Sequence, residues 1–300
     1  MQQKKQYTKF NINFIPKKFG LNNLGNTCYF NSFLQALLSC SSFNEHLIIN
    51  FKNANPKYIN NPLLTNIYYL LQNSFNNNIN NNTKIAYKIL NEISNYDKKG
   101  GNKIKLIKHN ANDSDDVLSL FFNYLSDLKL DYLLSLFKHR QRRYIYCTKV
   151  NNNYESNVIE NNVFFLAQEE FSKSKMSFVE YLMEYDELIL GNKCRICNEK
   201  HPSKNIIRIT LVPEIIIIRI NRYKKKNFIF KKIPEEFKIP VLKKGIYHTY
   251  KAISHIERRG NHYYTICKRK SGWTLLNDSN VSKKNFNLSP FTYLVFYHLI

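Results

Sequence analysis

Gly20-Leu21-Asn22-Asn23-Leu24-Gly25-Asn26-Thr27-Cys28-Tyr29-Phe30-Asn31-Ser32 is a polar, glycine-punctuated loop that runs into an amphipathic segment. Beyond it Phe30, Phe33, Leu34, Leu37 and Leu38 recur at helical spacing, so one face is buried and the helix begins at or just after Thr27-Cys28. That start places a thiol where unpaired amides and the positive end of the helix dipole favour thiolate over thiol. The same amides, joined by a side-chain amide from the loop, can hold a developing oxyanion. Asn23, five residues before Cys28, is the loop residue suited to that task.

A thiolate becomes a hydrolytic catalyst only when a positioned acid returns a proton to the leaving group. His262, in Gly260-Asn261-His262-Tyr263-Tyr264 at the mouth of a strand-like run, is the histidine to expect there. Trp273 and then Leu276-Asn277-Asp278-Ser279 follow, so a hairpin would set Asn277 or Asp278 beside the imidazole and hold its tautomer. Cys40 and Cys267 have no such loop, alternate with apolar residues and read as core; His255 reads as structural.

Further out, 300 residues with 43% apolar and 14% aromatic content suffice for a sizeable core. The first ten residues lack the uninterrupted apolar stretch of an export signal. The densest apolar run, Leu211 to Ile220, contains Pro213, Glu214 and Arg219 and is too short to cross a bilayer, so no membrane association is expected. Six dispersed cysteines do not make a disulfide framework and point to a reducing compartment, cytoplasmic or nuclear. The net charge of +23 attracts polyanions, but no nucleic-acid motif accompanies it, so nucleic acid is expected only through nonspecific charge. The nine Lys or Arg of residues 222–244 read as a solvated strand edge.

Residues 1–19 are basic and aperiodic, a lead-in to one domain over 20–300. The polar run Asn76 to Asn82 reads as a surface loop, and Asp113 to Leu130 as an amphipathic helix capped by Asp113 or Ser114. After about Tyr144 strand-like runs dominate, interrupted by a helix expected over Ser177 to Leu190. A helical half followed by a strand-rich half predicts an α+β domain with its site between the two.

The quoted loop resembles the cysteine box of the ubiquitin-specific proteases, and Gly260 to Val281 resembles their histidine box. Between them Asn112 to Leu118 is similar to the family's Gln-Asp-Ala-His-Glu-Phe-Leu helix, Val212 to Tyr223 to a further strand, and Tyr293 to Tyr297 to the closing strand. The resemblance implies a papain-like fold with helical thumb, strand-rich palm and fingers. It also implies a deubiquitinating thiol hydrolase, acting as a monomer on bonds after the C-terminal glycine of ubiquitin. Asn277 falls on the third catalytic position, and Asp278, next to it, would polarise a water near the oxyanion or substitute for it. Glu160, Asp113 and Asp116 are candidates to face the arginines of the ubiquitin tail. Asp115 stands where the family has histidine, and Asn261 where it has glycine.

Many members of that family carry zinc in the fingers. Here Cys194-Arg195-Ile196-Cys197 faces Cys147-Thr148-Lys149-Val150, in which valine cannot ligate. Cys147, Cys194 and Cys197 remain, and His201 could complete four; the expectation is nonetheless a degenerate, hydrophobically packed finger without metal and no cofactor. Three alternatives stay open: a catalytically impaired ubiquitin-binding module, a protease for another ubiquitin-like modifier, and a basic nucleic-acid binder.

Overall fold

Side chains that cap helix starts organise the first half of the chain. The computed structural model describes residues 9–99, 113–150, 152–189, 194, 196–199, 201, 203–221, 231–240 and 246–300. After a 3-10 turn over Ile12–Phe14 come α1 (Cys28–Leu37), α2 (Ser41–Lys52), α3 (Pro56–Ile59), α4 (Pro62–Phe75), α5 (Asn82–Lys99), α6 (Ser114–Asp127) and α7 (Asp131–Ser135). Asn55, Asn61 and Asp113 each accept a backbone N–H at the start of α3, α4 and α6. Pro56 and Pro62 stand at the first helical position, where a missing N–H costs nothing.

The second half is β1 (His139–Cys147), β2 (Asn152–Asn161), β3 (Phe164–Ala167), α8 (Gln168–Lys173), α9 (Phe178–Met183), β4 (Glu184–Ile189), β5 (Ser203–Leu211), β6 (Ile215–Asn221), β7 (Glu236–Pro240), β8 (Tyr247–Arg259), β9 (His262–Arg269), β10 (Gly272–Asn277), β11 (Asn280–Lys283) and β12 (Thr292–Leu299). One sheet has the order β2-β1-β5-β4; the other runs β11-β10-β9-β8-β12-β6-β3, with β7 also paired to β8. The expected helix over Ser177 to Leu190 is thus corrected: it stops at Met183, and Glu184–Ile189 pairs antiparallel with β5. Tyr185 and Ile189 keep a four-residue spacing that suits a helix, but an available sheet edge outweighs so short a periodic signal.

The larger sheet is buried on both faces, and its strands show why. In β6, Ile215 and Ile217 enter a core with Phe33, Phe121 and Phe137 from the helical half, while Ile216 and Ile218 enter a second with Phe171, Phe178 and Phe237. Leu294 and Phe296 of β12 repeat the first choice, Val295 and Tyr297 the second. A continuous apolar run is what a strand covered on both sides requires. The expected polar loop joins α4 to α5. Residues 9–19, read from sequence as a lead-in, pack on the body: Phe10 N–H donates to the Leu299 carbonyl (3.0 Å), and Ile15 and Phe19 are buried. Arg222-Tyr223 and much of the basic run lie outside the described residues.

Gly20, which opens the decisive loop, sits against the backbone of Ser279; a Cβ built there would stand 2.5 Å from the Ser279 carbonyl oxygen. Gly20→Ala is expected to lower stability by about 1–3 kcal/mol through this overpacking. An unchanged denaturation midpoint would refute the close approach.

Candidate active site

Cys28 is the first residue of α1 and only 5% exposed. The approach to it is a tight turn with Gly25 and Asn26 at positive φ, 88° and 57°. Thr27 braces that turn: its N–H donates to Asn23 Oδ1 and its Oγ1 accepts from the Leu24 N–H, both at 3.0 Å. The thiol departs from the sequence expectation in one respect. Burial pushes it above the ordinary cysteine range and Asp278 adds to the effect, against the backbone N–H groups of Tyr263, Tyr29 and Cys28 itself, which favour thiolate. The helix terminus acts in the expected direction, but desolvation outweighs it.

His262 opens β9, and Asn277 closes the neighbouring antiparallel strand β10. His262 Nε2 and Asn277 Oδ1 lie 2.6 Å apart. An amide oxygen only accepts, so Nε2 carries the proton and Nδ1 has its lone pair available. Cys28 Sγ is 3.8 Å from the carbonyl oxygen of Asn261, the residue before His262, so the turn into β9 lies against the start of α1. The side chain of Asn261 itself is exposed.

Between the two residues left open by sequence, the structure sets Asn277 at the imidazole and turns Asp278 away. Asp278 has φ 51°, Oδ2 accepts from Asn23 Nδ2 (3.0 Å), and Oδ1 accepts from Asn31 Nδ2 (2.8 Å). Its carbonyl accepts the Leu21 N–H at 3.0 Å. Asp278 thereby fastens the loop before Cys28 to the strand pair that carries His262. Asn23 has a second amide N–H beyond the one given to Asp278. Asn31 was missed by sequence reasoning; the signal was an amide on the apolar face of α1 one turn after Cys28, where it is 5% exposed.

The acidic candidates are each engaged within the chain. Asp113 caps α6 and pairs with Arg258 at 3.0 Å, and Glu160 pairs with Lys138 and Arg140, each at 3.0 Å. Those two cations hold the Glu160 carboxyl below its usual range. Asp116 is half-buried in the first turn of α6, and burial pushes its carboxyl up. Asp115 is ion-paired with Arg219 of β6, whose guanidinium lies over the rings of Phe165 (5.6 Å) and Tyr293 (5.7 Å). The departure at Asp115 therefore has a partner that joins the helical half to the large sheet. Cys40, Cys267 and His255 are fully buried.

At the far end of the smaller sheet, Cys147, Cys194, Cys197 and His201 bring their ligand atoms within 4.8 Å of one another. The sequence left open whether His201 completes a set of four, and the four donors do come together in a cluster that could hold a metal ion. Val150 is 51% exposed and plays no part. Cys147 pairs in register with Ser203, so the chain entering β5 carries His201 up to the end of β1. Its Nε2 stands 3.4 Å from Cys147 Sγ and 3.0 Å from Cys197 Sγ. Backbone N–H groups of Cys197 and Ile196 hold the Cys194 thiol down to about 6.

Comparison with known proteins bears on the fold and the family. No curated protein is matched in sequence. Solved structures similar in fold include a SAGA DUB module of Ubp8, Sgf11, Sus1 and Sgf73 bound to monoubiquitin, with a TM-score of 0.72 at 17% identity over 99% of this chain and 72% of that one. The same module bound to ubiquitin aldehyde gives 0.72 at 17% identity over 97% and 71%. The family model described as ubiquitin carboxyl-terminal hydrolase matches residues 19–297, and the chain belongs to that family of thiol hydrolases.

Proposed function

We propose that this chain hydrolyses the peptide or isopeptide bond after the C-terminal glycine of ubiquitin, with Cys28 as nucleophile and His262 as base and then acid. The 2.6 Å bond from His262 to Asn277 carries the reading, because it commits Nε2 and leaves Nδ1 to the thiol. The Cys28 proton passes to Nδ1, the sulfur attacks the carbonyl carbon, and the imidazolium protonates the leaving amine. Water then repeats the sequence on the thioester and frees the glycine carboxylate. Burial pushes the Cys28 thiol up, so His262 is the group assigned to take its proton. Asn23 and the first amides of α1 hold the oxyanion, and Asp278 fixes Asn23 in place.

A fluorogenic panel of ubiquitin and ubiquitin-like conjugates tests the assignment. Turnover of ubiquitin is expected, and Cys28→Ala should abolish it while leaving binding intact. Turnover of another modifier with none of ubiquitin would replace the substrate. That alternative has one observation behind it: Asp113 and Glu160 already hold cations of this chain. Asn23→Ala is expected to lower kcat by on the order of a hundredfold at nearly constant KM, since an oxyanion donor acts in the transition state. An unchanged kcat would remove Asn23 from the mechanism.

The finger cluster fits zinc: three thiols and an imidazole, compact enough for a tetrahedron and drawn from both sides of one sheet end. Such an ion would hold the fingers that grip the globular part of the substrate and would take no part in the chemistry at Cys28. Elemental analysis should find one zinc per chain, lost in Cys194→Ser; a metal-free wild type would refute the site. Free cysteines, and no helix long and apolar enough to cross a membrane among the described residues, accord with a monomer at work in cytoplasm or nucleus.

A further inference from the structure

α1 and β9 run side by side away from the site and touch through one row of residues on each. On the strand the row is Tyr263, Thr265, Cys267 and Arg269, every second residue and hence one face. On the helix and its exit it is Cys28, Ser32, Gln35 and Ser39, at spacings of four, three and four. At the first rung the Tyr263 N–H faces the Cys28 thiol. At the second, Thr265 Oγ1 donates to the Ser32 carbonyl (2.8 Å), and at the third Cys267 Sγ donates to the Gln35 carbonyl (3.5 Å).

Arg269 makes the last rung. Nη2 donates to the Gln35 carbonyl (3.0 Å) and to Gln35 Oε1 (2.7 Å), and Nη1 donates to Ser39 Oγ (2.6 Å). Gln35 in turn donates through Nε2 to the Phe19 carbonyl (2.9 Å), at the threshold of the loop that leads to Cys28. The guanidinium is 1% exposed and meets no carboxylate among the described residues. It lies instead against the carbonyl end of α1, where helix groups are unpaired and the dipole is negative. A flexible apolar side chain could fill this space, but only a rigid fork of donors fixes two oxygens on one helix end.

Geometry gives that fork a task. From Cys28 to Ser39 the helix rises roughly 16 Å, whereas from Tyr263 to Arg269 the strand advances roughly 20 Å. Two rows that meet at the catalytic end drift apart by several ångströms at the other, and the long arginine side chain spans the difference. We propose that Arg269 is a positioning residue: it fixes how far α1 stands along β9, and so sets the approach of Cys28 Sγ to the His262 imidazole at the opposite end.

The proposal rests on the Cys28–His262 pairing advanced above, and its test has one readout with ubiquitin and one without. Arg269→Met is expected to lower kcat on a fluorogenic ubiquitin substrate by about tenfold or more, since small misplacements far from the chemistry can be that costly. KM should stay within about twofold, because a buried side chain cannot touch substrate. Arg269→Lys, which keeps one donor site, should recover part of the loss. In parallel, alkylation of Cys28 by iodoacetamide at neutral pH, read by mass spectrometry, should slow in the same order across the variants. Should Arg269→Met fail to fold, Ser39→Ala, which removes a single bond, is expected to lower kcat a few-fold at constant KM. A folded Arg269→Met with wild-type kcat and alkylation rate would overturn the proposal, as would a rise in KM with kcat unchanged. If the wild type leaves every ubiquitin substrate intact, the function reading fails, and the alkylation series still decides the role of Arg269.

Discussion

Asp278 holds together three segments that local structure alone would leave apart. Its two carboxylate oxygens take the amides of Asn23 and Asn31, and its main-chain carbonyl takes the Leu21 N–H. The loop before the nucleophile, the helix that begins with it and the hairpin that carries the base therefore meet on one side chain. The carboxylate also brings a negative charge close to the nucleophile's helix start. The same charge opposes ionisation of Cys28. The interaction that joins these segments thus works against a free thiolate at Cys28.

Around this junction the architecture is a division of labour between two sheets. The larger is covered on both faces at its centre, where alternate residues of β6 and β12 are sent to separate cores. The smaller sheet ends in a cluster of sulfur and nitrogen donors. The Asp115–Arg219 pair links the helical side to the large sheet near the N-terminus of α6, half-buried and stacked on aromatic rings, a setting in which an ion pair is better ordered than on open surface.

Much of this was legible because the decisive features are local in sequence. The loop before Cys28, the helical spacing after it and the hairpin bearing His262 and Asn277 each lie within about a dozen residues, and each has a pattern that few structures satisfy. What escaped was set by tertiary proximity. That His201, a candidate already in the sequence, stands within reach of Cys147 rests on the pairing of β1 with β5, a register that no short window records. Glu184–Ile189 became a strand because β5 offered an edge. The partners of Asp113 and Asp115 come from positions 258 and 219, and nothing in the α6 segment announces them. The choice between Asn277 and Asp278 turned on a single residue with positive φ at the hairpin turn.

The thiol and the turn that delivers its base are 233 positions apart in the chain. Cys28 precedes His262 in synthesis, and β12, inserted between β8 and β6, follows both. Until that strand is in place the large sheet has a gap at its centre and α1 lacks a complete floor. Contacts of such long range are slow to form and are made only when the whole domain is available. The site is therefore a property of the folded domain and of no local segment, since its two parts lie 233 positions apart.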